Sequence, residues 1–384
     1  MKRSTSRRQF LATAAGTLAG PSLARADMPA DAPRELKPTA ANLGSLFPDV
    51  EKLAAQQTFR LSFLGDRFKA LDEFKKVGRE KVFELLLHRP EKVDPKPELI
   101  ERTDQGDFIR EKILFSTTPT FRVPAYVLIP KKVKTPAPAI VDLHSHGGMF
   151  IFGKEKVLDL GNNHPTMAEY HVRNYDGRPT ATALVRRGYI VITIDAFMFG
   201  ERRALLDADL KSGWDRTKYT KDDVQALNQK CRAKESTIVN ALTFAGLTWP
   251  GIVFWDDIRT VDYLVTRPEV DPKRIGCVGI SMGGYRTFFL AGLDERIAAA
   301  CVVGFMSTVK PMIQAHVDTH SNVHFLPGLH QYLDWPDVVS MMAPKPLMVQ
   351  QCSQDRLFPL SGMKESVEKI AKAYEKAGVK DRFA

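Results

Sequence analysis

The run Gly279-Ile280-Ser281-Met282-Gly283-Gly284 places a serine between closely spaced glycines, the pattern G-x-S-x-G. A serine hydroxyl is a weak nucleophile at neutral pH and needs a base within hydrogen-bond reach. The glycines are what a sharp strand-to-helix turn requires, because side chains would collide where strand and helix converge. Ser281 is therefore the candidate nucleophile, and the backbone N–H of Met282 a candidate donor to an oxyanion. His144-Ser145-His146-Gly147-Gly148 follows an apolar run, Ala139 to Leu143. That is where the second oxyanion donor is expected, from the backbone of His146, with Gly147 the near alternative. The His144 side chain is expected to lock this loop by hydrogen bonding rather than to react.

Asp355 follows another apolar run, Pro346 to Gln351, and is the candidate acid that orients a base. The competing reading has it capping a turn before a helix. The chain order Ser, Asp, His is begun and not finished, since no histidine follows Asp355. His316, His320 and His324 recur every four residues, with His330 beyond. On one helix they would share a face and could hold a metal. Pro311 and Pro327 flank the segment, however, and no cysteine or paired carboxylate joins it. His320 is thus expected to line a pocket, and neither metal nor cofactor is expected. Asp195, Glu201, Arg202 and Arg203 read as salt bridges anchoring an insertion rather than as substrate contacts.

These residues must be positioned by a sheet. From Phe108 onward, short β-branched runs alternate with helical periodicity, the pattern of an α/β domain. Strands are expected at 109–115, 123–129, 139–143, 189–194, 274–280, 298–305 and 346–351. Helices are expected near 179–187, 251–266, 283–293 and 361–377. Residues 201–248 exceed a plain connection, and 222–243 have helical periodicity, so an insertion is expected over the carboxyl edge of the sheet. Residues 27–105 carry apolar positions at helical spacing and read as an N-terminal helical arm; the catalytic domain is expected over 106–384.

The first 26 residues read as a twin-arginine export signal. Ser6-Arg7-Arg8-Gln9-Phe10-Leu11 precedes a weakly apolar stretch, and Ala24-Arg25-Ala26 offers a cleavage site. The expected location is periplasmic or secreted. Half of the formal net charge of +10 comes from Lys2, Arg3, Arg7, Arg8 and Arg25, so no nucleic-acid footprint is expected. No segment approaches the length of a membrane span. The four cysteines do not read as a disulfide framework; Cys277, Cys301 and Cys352 sit in apolar strand-like runs and are expected in the core.

The run Trp255-Asp256-Asp257-Ile258-Arg259, then Arg267-Pro268-Glu269-Val270-Asp271-Pro272-Lys273-Arg274-Ile275-Gly276 into the Ser281 motif, resembles bacterial α/β-hydrolases. The likeness is to the dienelactone hydrolase and acetylxylan esterase-like group, relatives of the prolyl oligopeptidase hydrolase domain. His144-Ser145-His146-Gly147-Gly148 resembles that group's H-G-x-x-G loop, with Ser145 in place of the usual glycine. The resemblance implies an α/β-hydrolase fold, a mostly parallel central sheet flanked by helices. It also implies a serine esterase in which Ser281 attacks and Asp355 orients a histidine on the loop after the last strand. Small-molecule or carbohydrate esters, acetyl esters among them, are the implied substrates. The chain stops at Asp381-Arg382-Phe383-Ala384, where that strand would begin, so the sequence is read as ending one strand early, with an unpaired sheet edge. The alternatives are a base drawn from His316, His320 or His324, a prolyl oligopeptidase-type peptidase, and a hydrolase-fold binding protein without turnover. The peptidase is disfavoured because no propeller precedes the catalytic region.

Overall fold

The computed structural model describes residues 38–207, 209 and 215–384. The expected export signal and its cleavage site lie outside the described residues. Thr39–Ala384 form one compact unit.

Eight strands make one sheet: β1 (Glu98–Asp104), β2 (Phe108–Ser116), β3 (Arg122–Pro130), β4 (Ala137–Leu143), β5 (Ile190–Ile194), β6 (Val270–Ile280), β7 (Ile297–Val303) and β8 (Leu347–Gln350). Their spatial order is β1-β2-β3-β5-β4-β6-β7-β8. β1, β2 and β3 pair antiparallel, as does β3 with β5; from β5 to β8 every pairing is parallel. This is the α/β-hydrolase arrangement, with helices on the sheet: α1 (Phe47–Ala55), α2 (Leu71–Leu86), α3 (Pro165–Tyr175), α4 (Thr180–Val185), α5 (Lys221–Phe244), α6 (Trp249–Leu264), α7 (Met282–Leu293), α8 (Trp335–Ser340) and α9 (Leu360–Lys376). No single helix among the described residues is long and apolar enough to cross a membrane.

Burial explains which elements the sequence announces. β5 is buried at every position and α7 along its whole length, so both read as apolar runs. α6 and α7 are joined by a fully buried ion pair, Arg286 Nη2 to Asp257 Oδ1 at 2.6 Å and Nε to Oδ2 at 3.0 Å. Two-point pairing of this kind fixes orientation as well as distance. The loops after β4, β5, β6, β7 and β8 all open on the same edge, where ligands bind in parallel sheets.

Three expectations are corrected. The segment read as a helical arm contains β1, whose residues are almost all exposed and largely charged. It is held by pairs to β2, Arg102 to Glu111 at 2.8 Å and Glu101 to Arg110 at 3.3 Å, rather than by an apolar face. Among the described residues of that segment, α-helix is confined to α1 and α2, preceded by a 3₁₀ turn at Gly44–Leu46, and the sheet begins before residue 106. The run containing His316, His320 and His324 is a series of turns with one 3₁₀ turn at Asn322–His324, so these histidines share no helix face. Cys352 falls just past β8 and is exposed, whereas Cys277 is buried and Cys301 half-buried; all four cysteines are free. The outer edge of β8 is partly paired: Val349 donates to the Ala384 carbonyl at 2.8 Å and Ala384 to that of Leu347 at 3.0 Å.

Candidate active site

β6 delivers Ser281 into the turn before α7 with φ 58° and ψ −125°. A residue with a side chain adopts this conformation only when its surroundings impose it. Here they do. The Ser281 N–H donates to Val303 O of β7 at 2.9 Å, and a Cβ on Gly279 would lie 2.5 Å from both Gly283 O and Leu143 O. A Cβ on Gly283 would overlap Leu143 O, so the turn packs directly on the end of β4. The hydroxyl of Ser281 has no hydrogen-bond partner among the described residues and borders a cavity of about 400 Å³. Among the described residues, the N–H groups of Met282, His146 and Gly147 likewise find no acceptor.

The loop after β4 is held from behind. His144 is fully buried; its Nδ1 donates to Ser145 O at 2.9 Å and its Nε2 accepts from Ala196 N–H at 3.1 Å. Both ring nitrogens are used, and burial pushes this imidazole well below its ordinary pKa. The ammonium of Lys156, also fully buried, donates to Ser145 O at 2.8 Å and His146 O at 2.9 Å. In a trans peptide the carbonyl and the next residue's N–H point in opposite directions. Lys156 therefore turns the N–H groups of His146 and Gly147 away from itself. Burial pulls the Lys156 pKa well down, against the opposing charges of Asp195 and Glu155.

Three imidazoles border the serine's cavity, and they differ in what their nitrogens do. His146 accepts Gly148 N–H on Nδ1 at 3.0 Å, which leaves the proton on Nε2, 3.6 Å from Glu235 Oε2. His320 donates from Nδ1 to His316 O at 2.8 Å, and its buried Nε2 has no partner. His324 is buried with both nitrogens unpartnered, among Tyr285, Phe305 and His320. Burial lowers the pKa of all three, with Glu235 opposing at His146 and the His316 carbonyl at His320. The neutral ring is the favoured form in each.

Asp355 lies outside the cavity wall, which Leu357 and Phe358 complete. Its Oδ1 accepts Leu357 N–H at 2.8 Å, the turn-capping arrangement, and among the described residues it has no ion-pair partner. Its charge is nevertheless felt at His320, whose pKa it raises against burial. The structure thus gathers Ser281, His146, Gly147, Gly148 and His320 around one cavity, with Met282 behind the serine and Asp355 one loop away. Glu155, Asp195 and Glu201 converge as a metal site might, but Lys154 Nζ occupies their centre at 3.2, 2.7 and 2.6 Å.

The profile of one protein family, Abhydrolase_7, described as the Abhydrolase family, matches residues 42–383. The chain belongs to the Abhydrolase family. A "putative hydrolase", YtaP of Bacillus subtilis (strain 168), is 25% identical over 307 residues, covering 79% of this chain and 89% of that protein. Among solved structures, a "putative acetyl xylan esterase" of Bacteroides fragilis NCTC 9343 superposes with a TM-score of 0.65. It is 20% identical, covering 88% of this chain and 80% of its own. A glucuronoyl esterase from Solibacter usitatus gives 0.50 at 15% identity, covering 78% and 80%. At these identities the structures speak for the fold.

In this Abhydrolase protein the cavity residues without a marker in the sequence reading include Glu235 and Arg232, both on α5. Glu235 Oε1 accepts from Asn322 N at 2.8 Å, and from Asn322 Nδ2 and Ser321 Oγ at 3.0 Å, while Oε2 faces His146. Burial pushes this carboxyl up, and the proximity of His146 together with the bonds from Asn322 and Ser321 outweighs it, leaving the pKa lowered. Their spacing three apart on a helix put them on one face, but only the fold reveals what that face meets. Lys154-Glu155-Lys156, charged residues one glycine after the apolar run Met149–Phe152, carried a signal that could have flagged buried charge.

Proposed function

We propose that the protein is an exported serine esterase acting on carboxylic esters of carbohydrates. The observation that carries this is the Ser281 turn. A strained, unpartnered hydroxyl borders a cavity beside three backbone N–H groups without acceptors. Ser281 Oγ attacks the ester carbonyl as a base takes its proton. The N–H groups of Met282 and His146 hold the oxyanion, and collapse expels the alcohol with that proton returned to it. Water then repeats the sequence on the acyl-enzyme, releasing the acid. The esterase names of the B. fragilis and S. usitatus neighbours support the choice of ester over amide, and the twin-arginine pattern supports export.

In this reading Asp355 orients the base, in the order Ser, Asp, His; none of residues 356–384 is histidine. A second reading takes the base from His320, because its Nδ1 is engaged as a donor and its Nε2 lone pair is bare on the cavity wall.

The experiment is hydrolysis of aryl acetates and acetylated xylo-oligosaccharides by the 384-residue chain and by any longer natural form. Each is compared with its Ser281→Ala and His320→Ala variants. Ser281→Ala is expected to leave only the residual acceleration of an oxyanion hole, about 10³- to 10⁴-fold over water. Equal activity in wild type and Ser281→Ala would sink the nucleophile. Loss in His320→Ala would select the second reading, and retention the first. Faster cleavage of peptide amides than of esters would make the protein a peptidase. Binding of acetylated sugars without turnover in any form would make it a binding protein.

A further inference from the structure

Arg202, Arg203, Arg216 and Arg286, which surround the loops of the site, each hold a carboxylate at 3.1 Å or less. Arg232 does not. It is exposed on α5 and has no ion-pair partner among the described residues. Its Nη1 lies 3.9 Å from where a Cβ on Gly148 would be, so the guanidinium stands over the oxyanion loop, and its charge opposes protonation of His146.

Arg232 also sits where two cavities meet. The Ser281 cavity and a second one of about 500 Å³ share Gly147, Gly148 and Arg232. The second is walled by α3 and α5, and Arg173 there rests over the Tyr170 ring at 5.8 Å with no carboxylate partner among the described residues. Of the carboxylates nearby, Glu235 is consumed by its contacts with His146, Ser321 and Asn322, and Glu169 by Lys221. Asp222 belongs to the first turn of α5, where the helix terminus offsets its charge. Two guanidiniums are thus left without a carboxylate on the wall of a groove that adjoins the Ser281 cavity.

We infer that the second cavity is a subsite for an acidic sugar, and that Arg232, seconded by Arg173, takes the carboxylate of a uronate residue next to the esterified one. The inference rests on the esterase reading and narrows its substrate to acylated acidic glycans. A guanidinium offers a planar pair of donors matched to a carboxylate, and at a groove exposed to water the pair is sensitive to salt.

The test compares kcat/KM on O-acetylated digalacturonate and on O-acetylated galactobiose, which differ in carboxylate against hydroxymethyl. Wild type is expected to prefer the acidic ester by about tenfold, the worth of one charge-assisted hydrogen bond, with the preference falling as salt is added. Arg232→Gln is expected to bring the ratio towards one, and Arg173→Gln to reduce it partly. The same ratio in wild type and Arg232→Gln would overturn the inference. If wild type cleaves neither ester, the esterase reading has failed instead. Calorimetric binding of unacetylated digalacturonate against galactobiose then decides the subsite alone: a preference abolished by Arg232→Gln supports it, and equal binding overturns it.

Discussion

Lys156 adds two hydrogen bonds to the loop after β4, which in the proposed mechanism supplies oxyanion donors. Its two acceptors keep second donors without it, Ser145 O from His144 and His146 O from Met149 N–H at 3.1 Å. Lys156→Met should therefore fold, while the His146 and Gly147 peptides lose their fixed tilt. Hydrolysis should fall in kcat by about tenfold to a hundredfold, short of deleting an oxyanion donor outright, with KM little changed. A variant that raises KM and spares kcat would show the lysine to be a packing residue only. At this scale the sequence was legible where function rests on consecutive residues. Ser281 is announced by glycines two positions away on either side. Lys156 was not legible, because the carbonyls that it holds lie 10 and 11 residues away and carbonyls leave no trace in a sequence.

α5 does for the walls of the cavity what Lys156 does for one loop. Through Glu235 it joins the His146 loop to the Ser321–Asn322 turn, contacts spanning 86 and 87 residues to the latter. Glu235→Ala removes the acceptor from three donors at once and should cost about 1 to 3 kcal/mol, read from the denaturant midpoint. Backbone amides of residues 146–148 and 321–324 should exchange faster together; acceleration of one segment alone would refute the tie. Elements buried on both faces, such as β5 and α7, could be read from composition because burial selects apolar residues. β1 could not. Its charges resemble a solvated helix until the partners Arg110 and Glu111 on β2 are in view. α3 was missed for a related reason: after Pro165 it is mixed in character, burying only Met167, Tyr170 and His171.

The molecule as a whole carries buried imidazoles that tie its stability to pH. His330, outside the site, sits against Trp335, and burial pushes its pKa from 6.5 down to about 4, the Leu333 carbonyl opposing. Between these values an unfolded chain binds a proton that the folded one refuses, so acid favours unfolding there; above about 6.5 both states are neutral and this group adds no pH dependence. The denaturant midpoint of wild type should therefore fall relative to His330→Phe as pH is lowered from about 6.5 to about 4. Parallel profiles would refute the assignment. The division of labour between sheet and insertion has a consequence for ancestry and redesign. The proposed nucleophile and its N–H donors belong to loops of the sheet, whereas Arg232, Glu235 and Ser236 face the same cavity from a single helix. In the proposed reading, chemistry and recognition lie on separate segments of the chain. If the proposed subsite holds, grafting a different α5 onto this scaffold would change the substrate preference without disturbing a single strand, provided that a partner for His146 travels with it.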